Sequence, residues 1–184
     1  SKQNQQITLG VVALLILIFA FIMFNRFKVT KKQNNIIEKQ KEIVEVKNQE
    51  ISDSINYAKR IQEAILPSKS RLADTLQKGF VLFEPKDVVS GDFYWTETFE
   101  SKTYLAVADC TGHGVPGAMI SVICSNALSK VLLEEKVTEP GEILDLTRKI
   151  IIEKLKKSGE SVNDGMDISL CAFNKDKSEI NWAG

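Results

Sequence analysis

Asp92 lies in the stretch Val89–Trp95, VSGDFYW, and Asp109 in Ala106–Gly117, AVADCTGHGVPG. Each stands where a strand-like run meets a glycine-bearing turn. Carboxylate oxygens suit hard divalent cations such as magnesium and manganese. Gly112 and Gly114 permit positive φ and close approach of a ligand to the backbone. The helix expected from Gly114 onward aims free N–H groups and partial positive charge at the same spot, where a phosphate would be welcome. If the two strands pair, the carboxylates meet on one sheet edge. Two metal ions held there would activate water and clamp a phosphoryl group for in-line attack. A single Asp beside Gly is ordinarily a turn or cap residue. Two such contexts in order, the second opening a helix, favour a site. His113, the one histidine in the chain, is placed to donate to phosphate or to tune a bound water; the plain alternative is a loop residue at a helix start. Asp164 and Asp167, in Asn163–Asp167 (NDGMD), are explained by a turn before a strand and stay outside the candidate site.

The elements that must position these residues lie between 79 and 184. Gly79–Phe83, Phe93–Thr96 and Tyr104–Ala108 read as strands. Gly114–Glu135 reads as a helix, with Pro116 in its first turn and Met119, Ile120, Ile123, Leu128, Val131 and Leu132 on a broad apolar face. Glu142–Lys157 is a second helix, with Ile143, Leu146, Ile150, Ile151 and Leu155 at helical spacing. Met166–Phe173 and Glu179–Ala183 read as a hairpin around the polar turn Asn174–Ser178. Strands, two helices, then strands imply an α+β fold in which helices cover a mainly antiparallel sheet.

The first third of the chain has a different character. After a short tail, 1–6, Ile7–Phe24 is almost wholly apolar and uncharged. At about 1.5 Å per residue it reaches roughly 27 Å, near the hydrocarbon thickness of a bilayer. Lys2 alone precedes it, whereas Arg26, Lys28, Lys31 and Lys32 follow. That asymmetry predicts a single span of the cytoplasmic membrane with the C-terminal domain in the cytoplasm. A signal peptide would carry its charges ahead of the apolar run and a cleavage site after it. From Lys32 to Leu66 there is neither Gly nor Pro, and Ile37, Val44, Ile51, Ala58 and Ile65 recur every seventh position. The segment 25–66 is therefore read as a basic juxtamembrane stretch and a helix with a coiled-coil seam able to pair two copies. Its second seam row, Gln40, Lys47, Ser54 and Ile61, is mostly polar, so the coil is weak; a solvated connector helix is the alternative. Pro67 ends the helix, and 67–78 forms a linker.

Composition narrows the function classes. Charge is balanced at 24 basic against 24 acidic residues, which gives no basic excess for nucleic acid. Three scattered cysteines without a CxxC pair provide neither a disulfide framework nor a zinc site. A histidine-kinase arrangement fails because Lys32–Leu66 holds no histidine.

VSGDFYW followed by VADCTGHGVPGAMIS resembles the SpoIIE/RsbU-type branch of the metal-dependent PPM protein phosphatases. That family shows a Gly-Asp-Phe-Tyr motif and then Asp-x-x-Gly-His-Gly-x-Pro opening a helix. The resemblance covers about Phe80–Gly184, and Ser52–Pro67 looks like the helical linker of membrane-anchored sensor phosphatases. It implies a partial α-β-β-α sandwich, preceded by a transmembrane helix and a coiled-coil-like linker. Asp92 and Asp109 would be metal ligands and catalytic residues. Cys110 would contribute its main-chain carbonyl, and Gly112, His113 and Gly114 would shape the phosphate site. The implied reaction is hydrolysis of phosphoserine or phosphothreonine on a regulatory protein, using two manganese or magnesium ions. Cys110 departs from the family's commoner small residues, a change tolerable where only the carbonyl matters. The family's later aspartates, in Thr-Asp-Gly and Asp-Asp contexts, do not occur before Gly184. The expectation is that the chain stops about halfway through the catalytic domain and is inactive by itself. The rival reading is a non-catalytic signalling or assembly module.

Overall fold

Between Lys2 and Ile65 the chain has one glycine, Gly10, and no proline. In the computed structural model, which describes residues 2–68, 72, 75, 79–156, 164–176 and 178–184, this span is a single helix, α1 (Lys2–Ile65). The expected tail joins it from Lys2, since nothing in KQNQQ breaks a helix. Pro67 disfavours helical geometry at Leu66 and stops α1 there. The chain forms two units, Ser1–Ser52 and Asp53–Gly184.

In the first unit α1 carries an apolar window of mean hydropathy 2.4 with none of it buried. Lys28 lies over the Phe24 ring at 4.8 Å. Ile37, Val44 and Ile51 of the heptad seam are exposed.

The second unit is built on a four-stranded antiparallel sheet in the order β1-β2-β3-β4. Its strands are β1 (Phe93–Phe99), β2 (Lys102–Cys110), β3 (Met166–Asn174) and β4 (Ile180–Ala183). Two helices, α2 (Gly114–Leu133) and α3 (Pro140–Lys156), separate β2 from β3. Helix α2 packs on β1 and β2, α3 on β3 and β4, and the helices pack on each other. The alternation of β2 sets the layers: Tyr104, Ala106, Ala108 and Cys110 are buried, while Val107 and Asp109 are exposed. Small side chains at 106 and 108 let α2 approach, and Cys124, Ala127, Leu128 and Val131 fill the interface. The aromatic anchors also satisfy their polar ends: Trp95 donates to Ser129 Oγ at 2.9 Å and Tyr104 to the Thr138 carbonyl at 3.0 Å. Burying such rings contributes most when the N–H or O–H finds a partner.

The α+β expectation holds: among the described residues one helical layer covers one antiparallel sheet. Three readings are corrected. Gly79–Phe83 forms no strand: Phe80 and Leu82 are exposed, no described segment pairs with it, and only Phe83 anchors it, edge-on to Tyr94 at 5.5 Å. Met119 is exposed, because the face of α2 that meets the sheet is centred on Ala118, Ser121, Cys124 and Ser125. Helix α3 begins at Pro140, whose fixed φ suits a first turn. Lys157, Asn163 and Lys177, which belong to the expected second helix, NDGMD turn and hairpin turn, lie outside the described residues, as do Lys69 and Ser70 of the linker.

Candidate functional site

The β1–β2 ladder pairs Phe93 with Ala108, so Asp92 and Asp109 stand side by side one step beyond it. Both project from the face opposite the helices. Their carboxyls interact directly: burial, then a hydrogen bond and charge repulsion from Asp109, hold the Asp92 carboxyl above the usual carboxylate range. Two adjacent carboxylates that resist simultaneous ionisation are relieved by a bound cation.

Glycines make the approach of the two turns feasible. A Cβ on Gly91 would stand 2.8 Å from the Gly112 carbonyl oxygen and 3.0 Å from that of Cys110. One on Gly117 would stand 2.5 Å from the same Gly112 oxygen. Gly112 and Gly114 adopt φ of 87° and 61°, the left-handed conformations expected of them. Thr111 closes the far side: its N–H and hydroxyl both donate to the Gly165 carbonyl, and its Oγ1 accepts from the Gly165 N–H at 3.0 Å.

Cys110 is buried under this edge. A hydrogen bond with Cys124 and burial push its thiol far up, so it stays protonated. The thiol is thus no thiolate, and the Cys110 main-chain oxygen faces Gly91 of the Asp92 turn. Two carboxylates and a main-chain carbonyl would make an all-oxygen donor set that fits Mn²⁺ or Mg²⁺ and disfavours zinc. Among the described residues no third His, Cys, Asp or Glu side chain completes a metal cluster with them.

His113 occupies the N-cap position of α2 without capping it. Its ring is 78% exposed, and Nδ1 donates to Asp87 Oδ2 at 3.0 Å. That contact fixes the ring beside the turn, and among the described residues Nε2 makes no hydrogen bond.

Several residues escaped sequence reasoning. Asp167, read as part of a turn, lies directly across the ladder from Asp109 and lines the same open cleft as Asp92 and Asp109. Its place became visible only with the strand register. Asp87 had no motif to mark it. Gln62, near the end of α1, is buried and hydrogen-bonded to Ser90; a polar residue breaking an apolar stripe was the available signal.

Residues 100–184 match the family model described as Stage II sporulation protein E (SpoIIE). Phosphoserine phosphatase RsbU of Bacillus subtilis (strain 168) is 25% identical over 137 residues, spanning 73% of this chain and 38% of RsbU. The solved SiaA-PP2C domain of Pseudomonas aeruginosa is 33% identical and superposes with a TM-score of 0.65, over 74% of this chain and 54% of that one. The chain thus spans well under half of RsbU and about half of the Pseudomonas chain.

Proposed function

We propose that the chain, which is similar to the SpoIIE/RsbU type of PPM phosphatase, serves a membrane-anchored signalling phosphatase that removes phosphate from serine or threonine of a regulatory protein. The observation that carries this reading is the juxtaposition of Asp92 and Asp109, with the Asp92 carboxyl raised by its neighbour. Asp92, Asp109 and the carbonyl of Cys110 would hold the cations, Mn²⁺ or Mg²⁺. When bound, such ions supply Lewis acidity, which acidifies water and neutralises phosphoryl charge.

The chain's own residues have definable tasks. Asp92 and Asp109 give the negative charge that recruits the cations. The α2 N-terminus, opened by Gly112 and Gly114, directs backbone N–H groups and partial positive charge at the phosphate. His113, held by Asp87, donates toward phosphate or leaving-group oxygen. The apolar helix Ile7–Phe24 anchors the protein in the cytoplasmic membrane, with the basic residues after it on the cytoplasmic side. The seam at Ile37, Val44 and Ile51 pairs two copies, and α1 carries the upstream signal to the phosphatase domain.

The test is hydrolysis of a phosphoserine protein by the intact protein. Activity should require Mn²⁺ or Mg²⁺, vanish with chelator and fall more than about a hundredfold in Asp109→Ala, since even outer partners of a metal cost roughly 10–100-fold. Full activity in chelator or in that variant would refute the reading. Absence of hydrolysis by the wild type with either metal would favour the non-catalytic signalling module.

A further inference from the structure

Gln62 is the only buried residue among the described residues of α1, and its side chain is 28 positions away in sequence from the backbone it binds. Its Nε2 donates to the Ser90 carbonyl at 2.6 Å, and its Oε1 accepts from the Ser90 N–H at 3.1 Å. The carboxamide therefore pairs with Ser90 as one peptide group pairs with another in a ladder. The second Nε2 hydrogen goes to Ser121 Oγ of α2 at 2.9 Å, and Ser121 passes its own hydrogen to the Ala118 carbonyl at 2.8 Å. Ser90 in turn caps the next turn, its Oγ accepting from the Asp92 N–H at 3.0 Å. One side chain from the last turn of α1 thus grips both segments that form the site: the turn bearing Asp92 and the helix that follows Asp109.

The chemistry is specific to a carboxamide of this length. Glutamate would keep the acceptor for Ser90 N–H but lose both donors and bring a charge into a buried place. Leucine would fill the space and leave the Ser90 N–H and carbonyl unpaired, a buried loss that is costly. Neighbours on the same turn make no such connection: Ile61, Glu63 and Ala64 are exposed.

We propose that Gln62 is a positioning residue for the cation site: by pairing with Ser90 and Ser121 it fixes the Ser90–Asp92 turn against α2, so that Asp92 meets Asp109. The proposal rests on the phosphatase reading only for the use to which the site is put. Partners behind a metal ligand typically govern affinity by about 10–100-fold, and Gln62 holds the ligand's own turn.

The test uses the intact protein with Gln62→Leu, Gln62→Glu and the exposed control Glu63→Gln. Three quantities are read: Mn²⁺ affinity by titration with the metal alone, amide hydrogen exchange of Gly91–Phe93 and of α3, and the Mn²⁺ dependence of phosphate-ester hydrolysis. Gln62→Leu should weaken Mn²⁺ binding about tenfold or more and accelerate exchange at Gly91–Phe93 while α3 stays protected. Excess Mn²⁺ should restore much of kcat, which separates positioning from general damage. Glu63→Gln should match wild type. If Gln62→Leu does not fold, the same-shaped Gln62→Glu decides alone. A folded Gln62 variant with wild-type Mn²⁺ affinity and wild-type exchange in the turn overturns the proposal. If wild type hydrolyses no phosphate ester, the phosphatase reading fails, whereas metal affinity and exchange still judge Gln62.

Discussion

The Asp92 carboxyl is raised by burial and by Asp109, so the folded state holds a proton at Asp92 more tightly than the unfolded chain does. Stability contributed by that proton is present at acid pH and is lost as pH rises through the raised value. Raising pH in metal-free protein therefore works against the burial and the Asp109 contact that favour the protonated form. Asp92→Asn should melt at a higher temperature than wild type at neutral pH in chelator, and the gain should shrink as pH falls below the raised value. Added Mn²⁺ should stabilise wild type and leave the variant behind. Thermal melts across pH, with and without metal, check both signs. Gly91 gives the complementary case: Gly91→Ala drives a methyl against two carbonyl oxygens and should lower both stability and metal affinity, as a titration and melt would record.

At the scale of elements, periodicity read well where partners lie close in sequence. The hairpin β1–β2 joins strands through a two-residue turn, and both helices show their apolar faces. Gly79–Phe83 has equal apolar content but no described partner to pair with, and an unpaired run does not become a strand. The Gln62–Ser90 pair was half legible: a polar residue in an apolar stripe marks Gln62, but nothing local marks Ser90, 28 positions away, as its partner. Helix α3 holds a further surprise. Thr147 is fully buried and its hydroxyl finds no partner. Thr147→Val keeps the shape and removes the orphan, and should raise stability by about 1 kcal/mol in denaturant titration. Helix α1 is tested by Ile51→Pro, which breaks a helix interior at roughly 3 kcal/mol or more. Under the proposed signalling role, that variant should keep its Mn²⁺ affinity while its hydrolysis rate stops responding to the upstream stimulus. An unchanged response would remove α1 from the mechanism.

Across the whole molecule, the two aspartates mattered because the fold makes their strands neighbours. The motifs named both residues and the glycines around them, since turn chemistry and helix starts are local. Neither the register that sets Asp167 opposite Asp109 nor the Asp87–His113 contact is local, and both required the sheet and loop to be assembled. The central claim is that Asp92 and Asp109 act as one cation site. A double-mutant cycle on Mn²⁺ binding by the intact protein tests it most directly, with wild type, Asp92→Asn, Asp109→Asn and the double variant titrated under one set of conditions. If the carboxylates share a cation, each single change should weaken binding severely and the double variant should bind little worse than either. Wild-type affinity in either single variant, or small losses that simply add, would contradict the account.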